Sequence, residues 1–196
     1  SSLYLFGVKQ GDLQMTALGL AVAALFFFVS RAEPLERLSA ERPPARIFCA
    51  QVCVSIVLQF LVHLGCLMDT LERAKPLVKL TSKDPSIVPD GPFRPNLVNT
   101  AIFLLSAVTQ VNTFTANYRG HPFMQSLSEN KMLGRFTIGL YAVLLMLALE
   151  VVPAFNHWLQ LVHLPGPFRR HLVYVLLLDT GAVLAIEQLC LRFLPT

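Results

Sequence analysis

Residues 13–30 read LQMTALGLAVAALFFFVS, a stretch of eighteen residues without a charged side chain. Alanine, leucine, valine and phenylalanine follow one another so closely that a helix drawn through them has no polar face. About 18 to 20 apolar residues are enough to cross the hydrocarbon core of a bilayer as a helix. The stretch therefore predicts a membrane-spanning helix. The rest of the sequence is accordingly interpreted as part of a membrane protein.

Four further apolar runs of similar length follow, and together the five runs occupy half of the chain. The predicted spans are 13–30, 47–68, 97–118, 136–152 and 172–191. Backbone amides in hydrocarbon must be satisfied within their own segment, so such runs form helices, whereas barrel strands would alternate over about ten residues. We therefore predict an all-α polytopic membrane protein in which residues 1–196 form a single transmembrane domain, a bundle of five helices.

The composition of the whole chain agrees with a membrane protein. Of the 196 residues, 54% are apolar and 14% are charged, against about 25% charged in an ordinary soluble domain. This excludes disorder and most soluble enzymes, and four cysteines in apolar surroundings exclude a disulfide framework. The net charge of +4 is spread along the connections, so no nucleic-acid partner is predicted. The first predicted partner is the lipid bilayer.

The start of the chain and its charges bear on its topology. An apolar stub at residues 3–8 ends in a turn at 9–12, as an earlier span would, and the first residue is serine. We expect a fragment of a longer polytopic protein. Lysine and arginine divide eight to eight between the two alternating sides, so the positive-inside rule gives no orientation.

The third predicted span carries polar side chains at helical intervals along one face. These are Asn99, Ser106, Gln110, Thr113 and Asn117. Because amides are costly in lipid, this face is expected to point at protein or at water. Two interpretations stay open: hydrogen bonds that hold the spans together, worth about 0.6 kcal/mol each, or one wall of a polar transport cavity. Asp12 and Gln14, at the start of the first span, have the same two readings, as a helix cap or as part of the cavity.

Two acids, Asp179 and Glu187, lie inside the fifth predicted span. A carboxylate near the bilayer centre costs about 3 kcal/mol, which the leucine, isoleucine and valine of that span offset. Asp179 is therefore a candidate functional acid, with a protonated or paired structural acid as the alternative, and the sequence offers no basic partner within a helical turn.

Signatures of metal sites and of catalysis are missing from the sequence. Cys49 and Cys53 share one helical face, and His63 and Cys66 share another, but no further ligands stand at zinc-site spacing. A phosphate-binding loop, a nucleophile elbow and a His-Glu-x-x-His run are also absent. We predict no metal site and no catalytic residue in this chain.

Longer strings carry a resemblance to a known family. They are YLFGVK at 4–9 with Gly11-Asp12, SRAEPL at 30–35, Asn99-Thr100, Gln110 and Asn117-Tyr118 with ENK at 129–131, and Phe155-Asn156 with 159–162 and Pro165. These strings, spread over nearly the whole chain, resemble the endoplasmic-reticulum P-type ATPases of class five, subfamily A, which are transmembrane-helix dislocases. That family was long described as cation-transporting.

The resemblance implies a topology and a cofactor. The five spans would be helices six to ten of a parent ATPase in the endoplasmic-reticulum membrane, with the connections 31–46 and 119–135 cytosolic and the loop 69–95 luminal. The family's Asp-Lys-Thr-Gly phosphorylation motif does not occur in this sequence. The resemblance therefore implies no cofactor in this chain, with ATP and Mg bound by the parent.

The expected function follows from the resemblance together with the polar positions. The chain would form part of the substrate groove and the supporting helices of an ATP-driven dislocase, with the remaining domains of the parent and transmembrane-helix clients as partners. Two alternatives stay open: a cation-transporting membrane domain with Asp179 or Asp12 as ligand or proton relay, and a non-enzymatic membrane scaffold. The candidate groove residues are Asp12, Gln14, Asn99, Ser106, Gln110, Thr113 and Asn117, with Asp179 as a possible intramembrane acid.

Overall fold

Five helices of 18 to 32 residues dominate the structure, a computed structural model that describes residues 9–36, 49–81 and 93–194. Each is long and apolar enough to cross a membrane, and no strand occurs among the described residues. The predicted all-α membrane bundle is confirmed. The helices are α1 (Asp12–Ser30), α2 (Ala50–Thr81), α3 (Leu97–Asn117), α4 (Lys131–Ala148), the short α5 (Pro153–Trp158) and α6 (Gly166–Phe193).

Parts of the sequence predictions fall on segments outside this description. The stub at 3–8 lies outside the described residues, as do 37–48 within the connection 31–46 and 82–92 within the loop 69–95. Contacts between the helices give their directions: Gln14 of α1 pairs with Asn99 near the start of α3, whereas Gln59 of α2 pairs with Asn117 at its end. Asp69, in the second half of α2, contacts His171 near the start of α6, so α2 runs antiparallel to α3 and α6. We call the two ends of the bundle the Arg119 end, where α3 stops and α4 starts, and the Glu150 end, where α4 stops.

The helix boundaries follow capping chemistry more closely than hydropathy. α4 starts five residues before its predicted span, because the Asn130 side chain accepts a hydrogen bond from Leu133 N at 3.1 Å. It stops at Ala148, where Glu150 takes φ +56° and Val151 N donates to Met146 O at 3.1 Å. These are the left-handed residue and the long-range hydrogen bond of a Schellman C-cap.

α2 continues to Thr81, although its predicted span ends at residue 68. Beyond that point the helix is polar, and Arg73 Nε donates to Asp69 Oδ1 one turn earlier, at 3.2 Å. Such i, i+4 pairs support a helix that hydropathy alone does not reveal. Pro76 lies within this extension. The helix therefore continues although proline has no backbone N–H to donate at that position.

α3 is the central helix of the bundle. Of the most apolar 18 residues of α3, 61% are buried, compared with 11% for α1 and 22% for α2. α3 packs against each of the other four long helices, while α1 packs on α4, α4 on α6, and α6 on α2. Among the described residues no comparable packing joins α2 to α1. The outer helices therefore form a ring around α3 that is open between α1 and α2.

The connections at the Arg119 end are tied to each other. Leu35 N donates to Phe123 O at 3.2 Å, and Gln125 N donates to Glu33 O at 3.0 Å, so the chain after α1 pairs with the chain after α3. Tyr118 hydroxyl adds a hydrogen bond to Gln125 O at 2.8 Å. This end of the bundle is therefore fixed by backbone pairing as well as by helix packing.

Glu129 closes the turn that leads into α4. Its Oε2 accepts hydrogen bonds from Ser126 N at 2.8 Å and from Ser126 Oγ at 3.0 Å, and it lies 2.8 Å from His121 Nε2. These contacts, the backbone hydrogen bond above all, lower the pKa of Glu129 below its usual range. The turn is therefore built around an ionised carboxylate.

Candidate functional site

Polar positions of α3 follow the open side of the ring, and we call them the α3 stripe. Thr113, Gln110 and Asn117 are exposed, and Ser106 is half-buried. On one side of the stripe, Phe114 contacts Phe26 of α1 with ring centroids 4.7 Å apart. On its other side, Asn117 Nδ2 donates to Gln59 Oε1 of α2 at 3.3 Å. The stripe therefore lies in the cleft between α1 and α2.

Hydrogen bonding differs along the α3 stripe. Thr113 Oγ1 donates to Thr109 O at 2.8 Å, and Asn117 Nδ2 also reaches Thr113 O at 2.9 Å. Gln110 makes no side-chain hydrogen bond to any other residue that the structure describes. Its carboxamide is therefore the group on this face with the greatest free capacity to bind a polar partner.

A mainly apolar cavity of about 130 Å³ adjoins Gln110. Side chains of α1, α3 and α4 line it, with Phe155 and Trp158 near the Glu150 end. Gln110 is the one amide in this lining. The cavity can take an apolar side chain while the amide binds a polar group beside it.

Gln14 and Asn99 form a closed amide pair instead of facing the cleft. Gln14 Nε2 donates to Asn99 Oδ1 at 3.0 Å, and Asn99 Nδ2 donates to Gln14 Oε1 at 3.1 Å. Further hydrogen bonds reach the carbonyls of Lys9, at 2.6 Å, and Leu159, at 3.2 Å. Both side chains are fully buried. In this arrangement they join α1 to α3 and do not line an open groove.

Asp12 lies at the other extreme of exposure. It is exposed in the first turn of α1, and its backbone carbonyl accepts a hydrogen bond from Thr16 Oγ1 at 2.8 Å. A carboxylate at a helix N-terminus stabilises the helix because it interacts favourably with the helix dipole. Its contacts in the structure are those of a helix start, and it lies at the opposite end of the bundle from Asn117.

Asp179 is buried, and its partner is a histidine that sequence reasoning did not connect to it. His63 Nδ1 of α2 lies 2.8 Å from Asp179 Oδ1, and Asn112 Nδ2 of α3 donates to Asp179 Oδ2 at 2.8 Å. Tyr141 hydroxyl of α4 donates to Asn112 Oδ1 at 2.7 Å. Three helices thus meet at one carboxylate and α4 joins them through Asn112, and the alternative of a paired structural acid agrees with these contacts.

Glu187 forms a second buried centre, one that links α2, α6 and the segment directly after α3 at the Arg119 end. Arg119 Nη2 donates to Glu187 Oε1 at 2.8 Å, while Ser55 hydroxyl and Gln59 Nε2 donate to Glu187 Oε2. Gln51 Oε1 accepts from Arg119 Nη1 at 3.4 Å. Both oxygens of this buried carboxylate therefore have hydrogen-bond donors.

Neither centre has the composition of a metal site. Within residues 9–36, 49–81 and 93–194, no group of three or more His, Cys, Asp and Glu side chains is placed to hold an ion. Cys49 and Cys53, on the face considered for a metal, are free thiols, as are Cys66 and Cys190.

Comparison with known proteins gives relatives over nearly the whole chain. The probable manganese-transporting ATPase PDR2 of Arabidopsis thaliana is 40% identical over 173 residues, which are 88% of this chain and 14% of that protein. The endoplasmic reticulum transmembrane helix translocase of Schizosaccharomyces pombe is 37% identical over 98% of this chain and 16% of its own length. The translocase of the same name from Saccharomyces cerevisiae is 36% identical over 96% of this chain and 15% of its own length.

The chain therefore spans about one seventh of the length of the curated relatives it matches. No protein-family profile matches it.

Proposed function

Because the chain belongs to the P-type ATPases of class five, subfamily A, we propose that it is a membrane portion of an ATP-driven pump that extracts mistargeted transmembrane helices. The names of the fungal relatives support this activity and an endoplasmic-reticulum location. ATP and Mg would be bound in parts of the pump outside this sequence. The five helices would cross the membrane with the Arg119 end in the cytosol.

The open side of the helix ring is the observation that carries the proposal. A carboxamide within a membrane helix is costly to expose to hydrocarbon, so the α3 stripe needs a polar counterpart. The cleft between α1 and α2 leaves room for one beside Gln110. A client with a hydrophilic flank next to an apolar helix matches the pairing of this amide with the adjacent cavity.

We propose an alternating-access mechanism for this cleft. Phosphorylation in another domain would shift the helices of the pump relative to each other and change access to the cleft from the two sides of the membrane. The α3 stripe would hold the hydrophilic flank of the client in a wetted space while α1 offers its apolar surface to the client helix. This chain would thus contribute binding and no catalytic residue.

A photo-crosslinking experiment tests the proposal. A photoreactive amino acid replaces Gln110 in the full-length protein, which is reconstituted in liposomes with a tail-anchored client protein and ATP. We expect several-fold stronger labelling of the client from position 110 than from position 57. Val57 is the matched control, because it is an exposed α2 side chain that lies, like Gln110, seven residues from the Arg119 end of its helix.

The same experiment can defeat the proposal. Labelling of the client from position 110 no stronger than from position 57 would show that the client does not bind in the cleft. Labelling confined to other helices of the protein itself would show that the cleft is an internal packing surface, which is the scaffold alternative.

A further inference from the structure

The hydrogen-bonded couple His63 and Asp179, here called the His63–Asp179 pair, lies deep in the bundle. Asp179 is fully buried, and the His63 side chain is 16% exposed. Asp179 stands near the middle of α6 (Gly166–Phe193), about 20 Å from either end at about 1.5 Å per residue. Bulk water therefore does not surround this carboxylate, and its charge depends on its immediate neighbours.

The His63–Asp179 pair can carry either one or two protons with its heavy atoms in the same positions. With one proton, His63 Nδ1–H donates to an ionised Asp179 across the 2.8 Å contact, and the net charge is −1. With two, Asp179 Oδ1–H donates to His63 Nδ1, while Nε2 carries the other proton and the net charge is zero. In both states Asn112 Nδ2 keeps its hydrogen bond to Asp179 Oδ2.

Each of these two states has an unfavourable free-energy contribution. Burial away from water disfavours the charged, one-proton state. The two-proton state places a hydrogen on His63 Nε2, which is buried and has no hydrogen-bond partner among the described residues, and an unpaired buried donor is also unfavourable. Neither state is held by a strong external charge, because no lysine or arginine within the described residues pairs with Asp179.

The titratable groups around the pair belong to α2, α4 and α6, whereas the α3 side chains beside it are uncharged. The Cys66 thiol of α2 faces Asp179, and α3 contributes the uncharged Asn112 and Thr109. Farther groups already have partners: Glu187, two turns along α6, binds Arg119, and Asp69 of α2 lies against His171 and Arg73. The α4 contribution is the Tyr141 hydroxyl, which reaches the pair through Asn112.

We propose that the His63–Asp179 pair is a proton-binding site in the middle of the membrane domain. One proton binds at His63 Nε2 while the proton on Nδ1 moves to Asp179 Oδ1, so that one proton enters and the charge of the pair changes from −1 to zero. In the loaded pair the Nε2 hydrogen has no acceptor among the described residues, so a shift of α2 that brings an acceptor to it favours loading. This dependence couples proton uptake to the packing of α2 against its neighbours, independently of whether clients bind in the cleft.

Infrared spectroscopy of the full-length protein in lipid nanodiscs tests the site. Protein labelled with carbon-13 at the aspartate carboxyl is titrated from alkaline to acid pH, and the carbonyl stretch of protonated aspartic acid is recorded. We expect the difference between the unmodified protein and Asp179→Asn to contain one label-sensitive band that appears with acid, because the other aspartates contribute equally to both spectra. In His63→Leu, the carboxyl loses its donor, so the band should already be present at the alkaline end.

Glu187→Gln is the matched control, since it removes a buried acid of the same helix that does not contact His63. Its aspartate band should keep the titration of the unmodified protein. A full band in Asp179→Asn would overturn the proposal. If that variant does not fold, His63→Leu decides, and a titration identical to that of the unmodified protein would overturn the proposal equally.

Discussion

Gly120, at the end of α3, shows how a single residue can decide a connection. A Cβ atom built at this position would lie 1.9 Å from Gln125 O and 2.4 Å from Gln125 C. Both are backbone atoms, held by the pairing of Gln125 with Glu33 and by the Tyr118 hydroxyl. Only glycine lets the chain after α3 approach itself this closely.

Gly120→Ala should therefore destabilise the full-length protein by about 1–3 kcal/mol, the usual range for overpacking. The change is measured as a fall in the thermal unfolding midpoint in detergent. Gly139→Ala is the control, because nothing lies within 4 Å of a Cβ at that helical position, and alanine there should be neutral or stabilising. Equal midpoints for the two variants would contradict the close approach described at Gly120.

The residue scale is also where the sequence was least informative. Helical periodicity placed Asn99 and Gln110 on one face but could not tell that Asn99 is enclosed and Gln110 open. The partner of Asp179 was missed because His63 lies 116 residues away on another helix, and only the packing of α2 on α6 joins them. The nearest signal in the sequence is a histidine within an apolar span, a pattern that also fits a metal ligand.

Among the elements, α3 combines two kinds of polar contact. Near its start, Asn99 is fully buried and shares hydrogen bonds with Gln14 and the backbone. Within two turns past its middle, the exposed Gln110 and Thr113 face the open cleft. One helix thus serves both interpretations that its periodicity left open, hydrogen bonding between spans at one end and a polar surface at the other.

Replacing Asn99 should show the first of these roles. Asn99→Leu leaves the buried Gln14 amide without its partner, and we expect a loss of about 1–3 kcal/mol in unfolding free energy. Gln110→Leu removes no hydrogen bond to the described residues and should change stability by less than about 0.5 kcal/mol. Denaturation in mixed micelles measures both variants. Similar losses in the two would mean that Gln110 is also a packing residue.

Hydropathy predicted the number, order and type of the elements, because five long apolar runs have few alternatives in lipid. It did not predict their ends. α2 continues for more than three turns past residue 68, because its polar extension is helical without being apolar. α4 ends early because Glu150 takes a left-handed conformation, which nothing in hydropathy reveals.

At the scale of the whole molecule, the Arg119 end is held together by a charged centre. Glu187 of α6 is 3% exposed and Arg119 is 35% exposed, and together with Ser55 and Gln51 they connect α2, α6 and the segment after α3. The ring of outer helices is closed on this side by the packing of α2 on α6. The open side, between α1 and α2, has no equivalent among the described contacts.

Arg119→Leu should leave the Glu187 carboxylate without its cation. We expect a cost of about 2 kcal/mol, below the 3–5 kcal/mol of fully buried pairs because a third of the Arg119 side chain meets solvent. The double variant Arg119→Leu/Glu187→Leu should recover most of this loss. A double-mutant cycle of unfolding free energies measures the coupling, and additive losses would show that the two side chains act independently.

Sequence charge could not orient the bundle, since basic residues divide equally, and no local pattern indicates which helices neighbour each other. The central position of α3 depends on contacts between helices far apart in the chain. That α3 is less apolar than α1 is consistent with burial by protein, but it does not identify the neighbours.

That central position also bears on how the protein is made. Translation proceeds from the N-terminus, so the ribosome completes α3 before α4 and α6, the helices that supply Tyr141 and Asp179 to its buried Asn112. Until they arrive, the Asn112 side chain of α3 lacks both of these partners. We expect α3 to remain at the insertion machinery, or to be shielded by a chaperone, until the last helix is synthesised.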